Sequence, residues 1–237
     1  MPEGLQMNYI VASSRDWNRE GFANLQLYAG SWEWAATPEA LTEAVSRLQP
    51  RYVFFLHWNW KVAQEIWSRF ECVCFHMTDV PYGRGGSPLQ NLIAAGHDET
   101  MLSALRMVEA MDAGPVYAKR PLPLQGRAED IYIAAGRLSF DLIRLIVETR
   151  PQPQPQEGKA TVFLRRRPEQ SKLPMTDDLK SIYDHIRMLD APGYPLAFID
   201  YGNVRIEFCQ AELQKGEILA QIRMCPRTHT PKAKGKK

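Results

Sequence analysis

Cysteine is scarce in this 237-residue chain: four residues, at positions 72, 74, 209 and 225, with no C-x-x-C pair and no histidine at metal-ligand spacing. A disulfide-built scaffold is excluded and no zinc pattern is present, so the core has to come from apolar packing, for which the length is ample. Reduced thiols and a cytoplasmic location follow as expectations. An excess of one charge is also lacking, since 29 basic residues stand against 27 acidic ones for a formal net charge of +2. The whole molecule is therefore not a polyelectrolyte binder, and any nucleic-acid surface would have to be local. No run approaches the ~18 apolar residues of a membrane span, and Met1-Pro2-Glu3-Gly4 lacks the basic-then-apolar order of a leader. Neither a metal nor a membrane partner is expected, and no internal repeat is seen.

What the chain does have is an alternation of short apolar runs and helix-length segments. Tyr9-Ile10-Val11-Ala12, Tyr52-Val53-Phe54-Phe55-Leu56 and Cys72-Val73-Cys74-Phe75 are rich in β-branched and aromatic residues, as buried strands are. Thr37-Pro38 places a capping hydroxyl before a proline and opens a helix running to Leu48. Val62, Ile66, Trp67 and Phe70 recur at helical spacing and predict a helix over 61–70; a longer amphipathic helix is expected over 128–149. Strands alternating with helices imply an α/β fold, Rossmann-like, with a mostly parallel sheet and helices on both faces.

After position 150 the chain changes character. Arg150-Pro151-Gln152-Pro153-Gln154-Pro155-Gln156 can neither continue a helix nor enter a sheet interior. Beyond it a strand over 160–164, a helix over 177–189 and two strands flanking Asp200-Tyr201-Gly202-Asn203 predict a small α+β module. The expected division is a main domain over 1–150, a proline-rich linker over 151–158, the small module over 159–226 and a disordered basic tail over 227–237.

Chemistry concentrates where an apolar run ends at His76 and passes into Pro81-Tyr82-Gly83-Arg84-Gly85-Gly86-Ser87-Pro88, with Met111-Asp112-Ala113-Gly114-Pro115 following. In parallel sheets ligands bind beyond the carboxyl ends of the strands, where His76 and Trp58-Asn59-Trp60 would fall. A histidine after a strand is often only hydrogen-bonded structure, and an aspartate in an Asp-x-Gly turn commonly caps its own backbone. Glycines permit close backbone approach, and Arg84 adds a fixed charge beside the histidine.

The pattern His76 … Pro81-x-x-Arg84-Gly85 … Pro88, followed 36 positions after the histidine by Asp112-x-Gly114-Pro115, resembles the folate-dependent formyltransferases over roughly residues 50–120. Leu164 to Ser171 and Ile182 to Asp190, with Tyr194-Pro195 after it, also resemble the C-terminal part of such enzymes, with the nearest likeness to N-formyltransferases of nucleotide-linked amino sugars and to peptide-synthetase formylation domains. The resemblance implies 10-formyl-tetrahydrofolate as formyl donor and the amine of a nucleotide-linked amino sugar as acceptor. His76 and Asp112 would be the catalytic pair, with the donor held by His57, Trp58, Trp60, Met111 and Ala113. Arg84, Gly85, Gly86, Pro88 and Arg187 would face the acceptor. Where the family carries an asparagine two residues before the histidine, this chain has Cys74, a weak hydrogen-bond donor; Asn59 is the expected substitute.

A methionyl-tRNA formyltransferase shares the signature, but its larger C-terminal β-barrel contrasts with the roughly 80 residues after position 158. On that ground nucleic acid is not the expected partner, and the lysine tail is read as solvated. A purine-pathway formyltransferase normally ends after its first domain. A folate-fold binding module that has lost catalysis stands as the non-enzymatic alternative. A homodimer through the C-terminal module is also expected.

Overall fold

The apolar runs form the centre of a six-stranded sheet, because alternate residues of each strand bury against helices on both of its faces. In the computed structural model, which describes residues 7–176 and 178–227, the chain runs β1 (Asn8–Ser13), α1 (Arg19–Leu25), β2 (Ser31–Ala35), α2 (Pro38–Leu48), β3 (Tyr52–Leu56), α3 (Gln64–Trp67) and β4 (Glu71–His76). It continues through β5 (Arg84–Gly85), α4 (Pro88–Ala94), β6 (Glu99–Arg106), β7 (Val116–Pro123) and α5 (Ala128–Thr149). The remainder is β8 (Val162–Phe163), α6 (Leu179–Arg187), β9 (Ala197–Tyr201), β10 (Val204–Gln214) and β11 (Glu217–Pro226).

The sheet order is β2-β1-β3-β4-β6-β7. The first four strands are parallel, whereas β6 and β7 join antiparallel at one edge. On one face Val11, Phe54 and Val73 pack with α5 residues such as Leu142 and Ile143; on the other Ile10, Val53 and Phe55 pack with Leu41 and Val45 of α2. This period-2 division is what a doubly covered sheet requires. Chain order reverses between β1 and β3, so their carboxyl ends, Ser13 and Leu56, open a crevice at the point where such sheets bind ligands.

Local chemistry explains the helix boundaries. Thr37 accepts a hydrogen bond from the Ala40 N–H at 3.2 Å and Pro38 fills the first helical position. The helix expected over 61–70 is a single turn, α3, because the chain reaches Ala63 still extended (φ −63°, ψ 144°). Val62 and Ile66 nevertheless bury against the sheet, so the helical spacing reported one turn and its lead-in rather than a longer helix.

C-terminal to the proline-rich strap over 151–158, β8 is only two residues long and pairs parallel with β5, and α6 packs on an antiparallel sheet ordered β11-β10-β9. The strand β11 was not anticipated, since its apolar residues Leu219, Ile222 and Met224 are exposed rather than core. The tail expected to be disordered lies, apart from residue 227, outside the described residues. Among the described residues no helix is long and apolar enough to cross a membrane.

Candidate active site

His76 closes β4 with its side chain buried, 7% exposed, at the carboxyl edge of the sheet. Its Nε2 lies 2.8 Å from the Gly83 carbonyl oxygen. A carbonyl only accepts, so Nε2 carries the hydrogen and Nδ1 is the nitrogen left for proton exchange. Nδ1 stands 3.5 Å from Asp112 Oδ2. Asp112 is held in the left-handed region (φ +53°), which a short polar side chain tolerates, in a turn closed by the Ala113 N–H donating to the Ala110 carbonyl at 3.2 Å. Its Oδ2 accepts the Gly85 N–H at 2.9 Å, while Oδ1 takes no hydrogen bond from the described residues. The structure thus brings together two residues 36 positions apart in the chain.

The segment after α5 fastens this pair from behind. Gln156 Nε2 donates to the carbonyl oxygens of Asp112 and Gly114 at 2.8 and 2.7 Å, and its Oε1 accepts from Arg84 Nε and Nη2 at 3.0 and 2.8 Å. Arg84, expected to meet an acceptor, is instead engaged with this amide and does not line the cleft. Gly86, also expected to face an acceptor, gives its N–H to the Phe163 carbonyl at 3.0 Å. A Cβ at Gly86 would stand 2.6 Å from Arg165 Cα, and one at Gly114 1.8 Å from the Arg106 oxygen, so both positions require glycine for backbone contact. Gln156 escaped the sequence reading; glutamine at alternate positions of the Pro-Gln strap was its only signal.

A cleft of about 580 Å³ opens in front of the pair. The sheet edge divides its lining. Above the α2/α3 face stand Phe55, Trp58, Trp60, Val62, Trp67 and Met107, with the Trp58 and Trp60 rings 4.9 Å apart and Trp58 edge-on to Phe55 at 5.9 Å. Beside the cluster that packs on α5 stand Tyr132 and Tyr194, with Gln90 and His57 against Tyr132 and Arg15 against Tyr194; Arg165 lines the cleft next to Gly86. Gly85, Gly86, Pro88 and Met111 also reach the cleft, whereas Ala113 does not.

His57, expected among the donor contacts, lines the cleft beside Tyr132. Its ring meets Trp17 at 5.7 Å and Tyr132 at 5.5 Å edge-on, and Asn18 Nδ2 lies 3.4 Å from its Nδ1. Burial first, and the Arg15 charge second, pull its pKa down to about 4, so the ring is neutral. Asn59 is exposed at the rim of the cleft. Burial, with the Asp112 carboxylate adding to it, raises the Cys74 thiol well above its ordinary range and keeps it a neutral, weak donor.

Arg187 does not reach the cleft. It is 5% exposed in α6, donating Nε to Asp184 Oδ1 at 2.6 Å and Nη1 to the Leu124 and Gly126 carbonyls at 2.5 and 3.0 Å. Its expected contact with an acceptor is corrected to a buried tie between α6 and the connection from β7 to α5. Among the described residues no group of three or more His, Cys, Asp or Glu side chains could hold a metal ion.

Residues 168–225 match the family described as methionyl-tRNA formyltransferase, C-terminal domain. A methionyl-tRNA formyltransferase from Sorangium cellulosum is 32% identical over 131 residues, covering 52% of this chain and 42% of that protein. The chain spans less than half the length of the curated relatives it matches. A solved methionyl-tRNA formyltransferase from Clostridium thermocellum is 44% identical with a TM-score of 0.90, covering 93% of this chain and 99% of that one. A sugar N-formyltransferase from a Shewanella species shares the fold at a TM-score of 0.66, with 13% identity over 91% of this chain and 96% of its own.

These matches overturn the expected amino-sugar acceptor and, with it, the expectation that nucleic acid plays no part. The size of the C-terminal module was the wrong discriminator: a module this short is the one that matches the tRNA-formylating family. Near-zero net charge was equally uninformative, because Arg15, Lys61, Arg106 and Arg165 are gathered along one cleft.

Proposed function

The chain belongs to the formyltransferase superfamily, and from that premise we propose that it moves the formyl group of 10-formyl-tetrahydrofolate onto the amine of methionyl-tRNA. The observation that carries this reading is the His76–Asp112 pair at 3.5 Å, facing a cleft with one aromatic and one polar lobe. Flat aromatic walls suit a flat heterocycle, so the lobe of Trp58, Trp60 and Trp67 takes the donor. The lobe of Arg15, Gln90 and Tyr194 takes the acceptor end.

When bound, the donor supplies a carbonyl carbon open to attack by a neutral amine. As the new C–N bond forms, Asp112 Oδ1, which no described residue occupies, receives the proton leaving the amine. His76 gives the proton at Nδ1 to the departing nitrogen, since its Nε2 hydrogen is pinned to Gly83. A proton passed from Asp112 to Nδ1 then restores both groups, and no net proton is gained or lost. Negative charge on the formyl oxygen calls for a donor, and Asn59 at the rim is the candidate, Cys74 being too weak.

The test is direct. Purified protein given 10-formyl-tetrahydrofolate and methionyl-tRNA is expected to release tetrahydrofolate and yield N-formylmethionyl-tRNA. Absence of both products would overturn the proposal. Saturable folate binding without turnover would favour the second reading, a binding module that has lost catalysis, for which the neutral Cys74 is the specific sign.

A further inference from the structure

Arg15 stands just past the carboxyl end of β1, at the switch point of the sheet. Its guanidinium carbon lies 5.3 Å from the Trp17 ring centre and 5.6 Å from that of Tyr194, so ring faces position it. Gly193, in the left-handed region at φ +80°, leaves it room: a Cβ there would come within 3.0 Å of Arg15 Nη1. Yet among the described residues its side chain makes no hydrogen bond and meets no carboxylate, unlike Arg127, Arg187, Arg205 and Arg223, each of which is paired with an acid. Arg165 lines the same cleft, also without an acidic partner among the described residues. The acids of the lining, Glu109 and Asp112, both come from the 107–114 segment.

A half-buried guanidinium framed by ring faces, with no side-chain acceptor among the described residues, keeps its N–H donors available to an incoming anion. We propose that Arg15, framed by Trp17 and Tyr194, is the anion subsite of the acceptor lobe and holds a phosphate of the RNA 3′ end bearing the amine. The planar fork can meet two phosphate oxygens at once, which the lack of an acidic partner to Arg15 among the described residues allows and which Lys cannot reproduce. This subsite deepens, and rests on, the acceptor assigned under Proposed function.

Steady-state formylation with Arg15→Gln is the first test. Its KM for methionyl-tRNA is expected to rise on the order of ten- to a hundredfold, with KM for the folate donor moving less than about twofold, and Arg15→Lys recovering only part of the loss. An unchanged acceptor KM, or a rise confined to the folate KM as the donor's carboxylates would cause, overturns the assignment. The second test needs no turnover: a short RNA ending in CCA, AMP and inorganic pyrophosphate are each titrated into wild type and Arg15→Gln by calorimetry, with thermal midpoints confirming that both are folded. RNA binding weakened about tenfold or more in the variant supports the subsite. AMP or pyrophosphate bound tightly while the RNA is not would assign it to a free nucleotide and overturn the RNA partner. Wild type that binds RNA through Arg15 yet makes no formyl product would sink the proposed reaction and leave the subsite standing.

Discussion

Gln156 donates its side-chain amide to the main-chain oxygen of Asp112 at 2.8 Å, so the strap after α5 fixes the acid of the site from behind. The same amide accepts from Arg84, which ties the glycine loop to the Asp112 turn. In the proposed reaction Gln156 would touch no reacting atom; it would act by positioning Asp112.

Gln156→Ala is therefore expected to lower kcat on the order of ten- to a hundredfold while leaving donor binding intact, because the Asp112 turn is released. Gln156→Glu should do worse, since a carboxylate would face the Asp112 and Gly114 carbonyls where an N–H now donates. Steady-state kinetics with equilibrium folate binding checks both. A Glu variant as active as wild type would remove Gln156 from the account.

Arg187→Ala should destabilise the fold by about 3 kcal/mol, because it leaves Asp184 short of a buried partner and two carbonyls unsatisfied. Denaturant midpoints measure this. The KM for either substrate is expected to stay put, and a selective rise in acceptor KM would return Arg187 to the binding site.

Stability should fall on acidification in a window set by His57. Its folded pKa of about 4 lies below the ordinary 6.5, so the unfolded chain binds the extra proton between those values and the native state does not. The contribution of His57 is therefore complete above about pH 6.5 and lost as pH drops toward 4. Urea midpoints across that range should decline less steeply in His57→Asn, a replacement that tolerates the local φ of +48°. Parallel declines in the two proteins would show that His57 titrates normally.

Much of the fold was legible because it is written in local chemistry. Thr37-Pro38 marks a helix start, and Val53-Phe54-Phe55 can only be a strand buried on both faces. The antiparallel edge of β6 and β7 was not legible, since Glu99–Arg106 carries only a short buried run and its partner ends in prolines. At the site, His76 and Asp112 could be paired through a family likeness, whereas the duties of Arg84 and Arg187 could not. Charge beside a candidate histidine looks like a substrate contact in one dimension. Only the fold shows that Gln156 occupies Arg84 and that Asp184 with two carbonyls occupies Arg187. Arg15 was missed for the opposite reason: nothing around it in sequence marks an arginine that lacks an acidic partner among the described residues.

Asn59→Ala is expected to cost on the order of a hundredfold or more in kcat if its amide meets the formyl oxygen. Adding Cys74→Asn should restore much of that loss by placing an amide two residues before His76. Full activity in Asn59→Ala would leave the oxygen to another donor.

His76 and Asp112 are expected to act as one unit across their 3.5 Å gap. A double-mutant cycle on kcat/KM for formylation of methionyl-tRNA, with His76→Ala, Asp112→Asn and the pair, tests it most directly. Each single variant is expected to lose on the order of 10² or more, and the double variant to be little worse than the poorer single. Losses that multiply in the double variant, or a single variant with near-normal turnover, would contradict it.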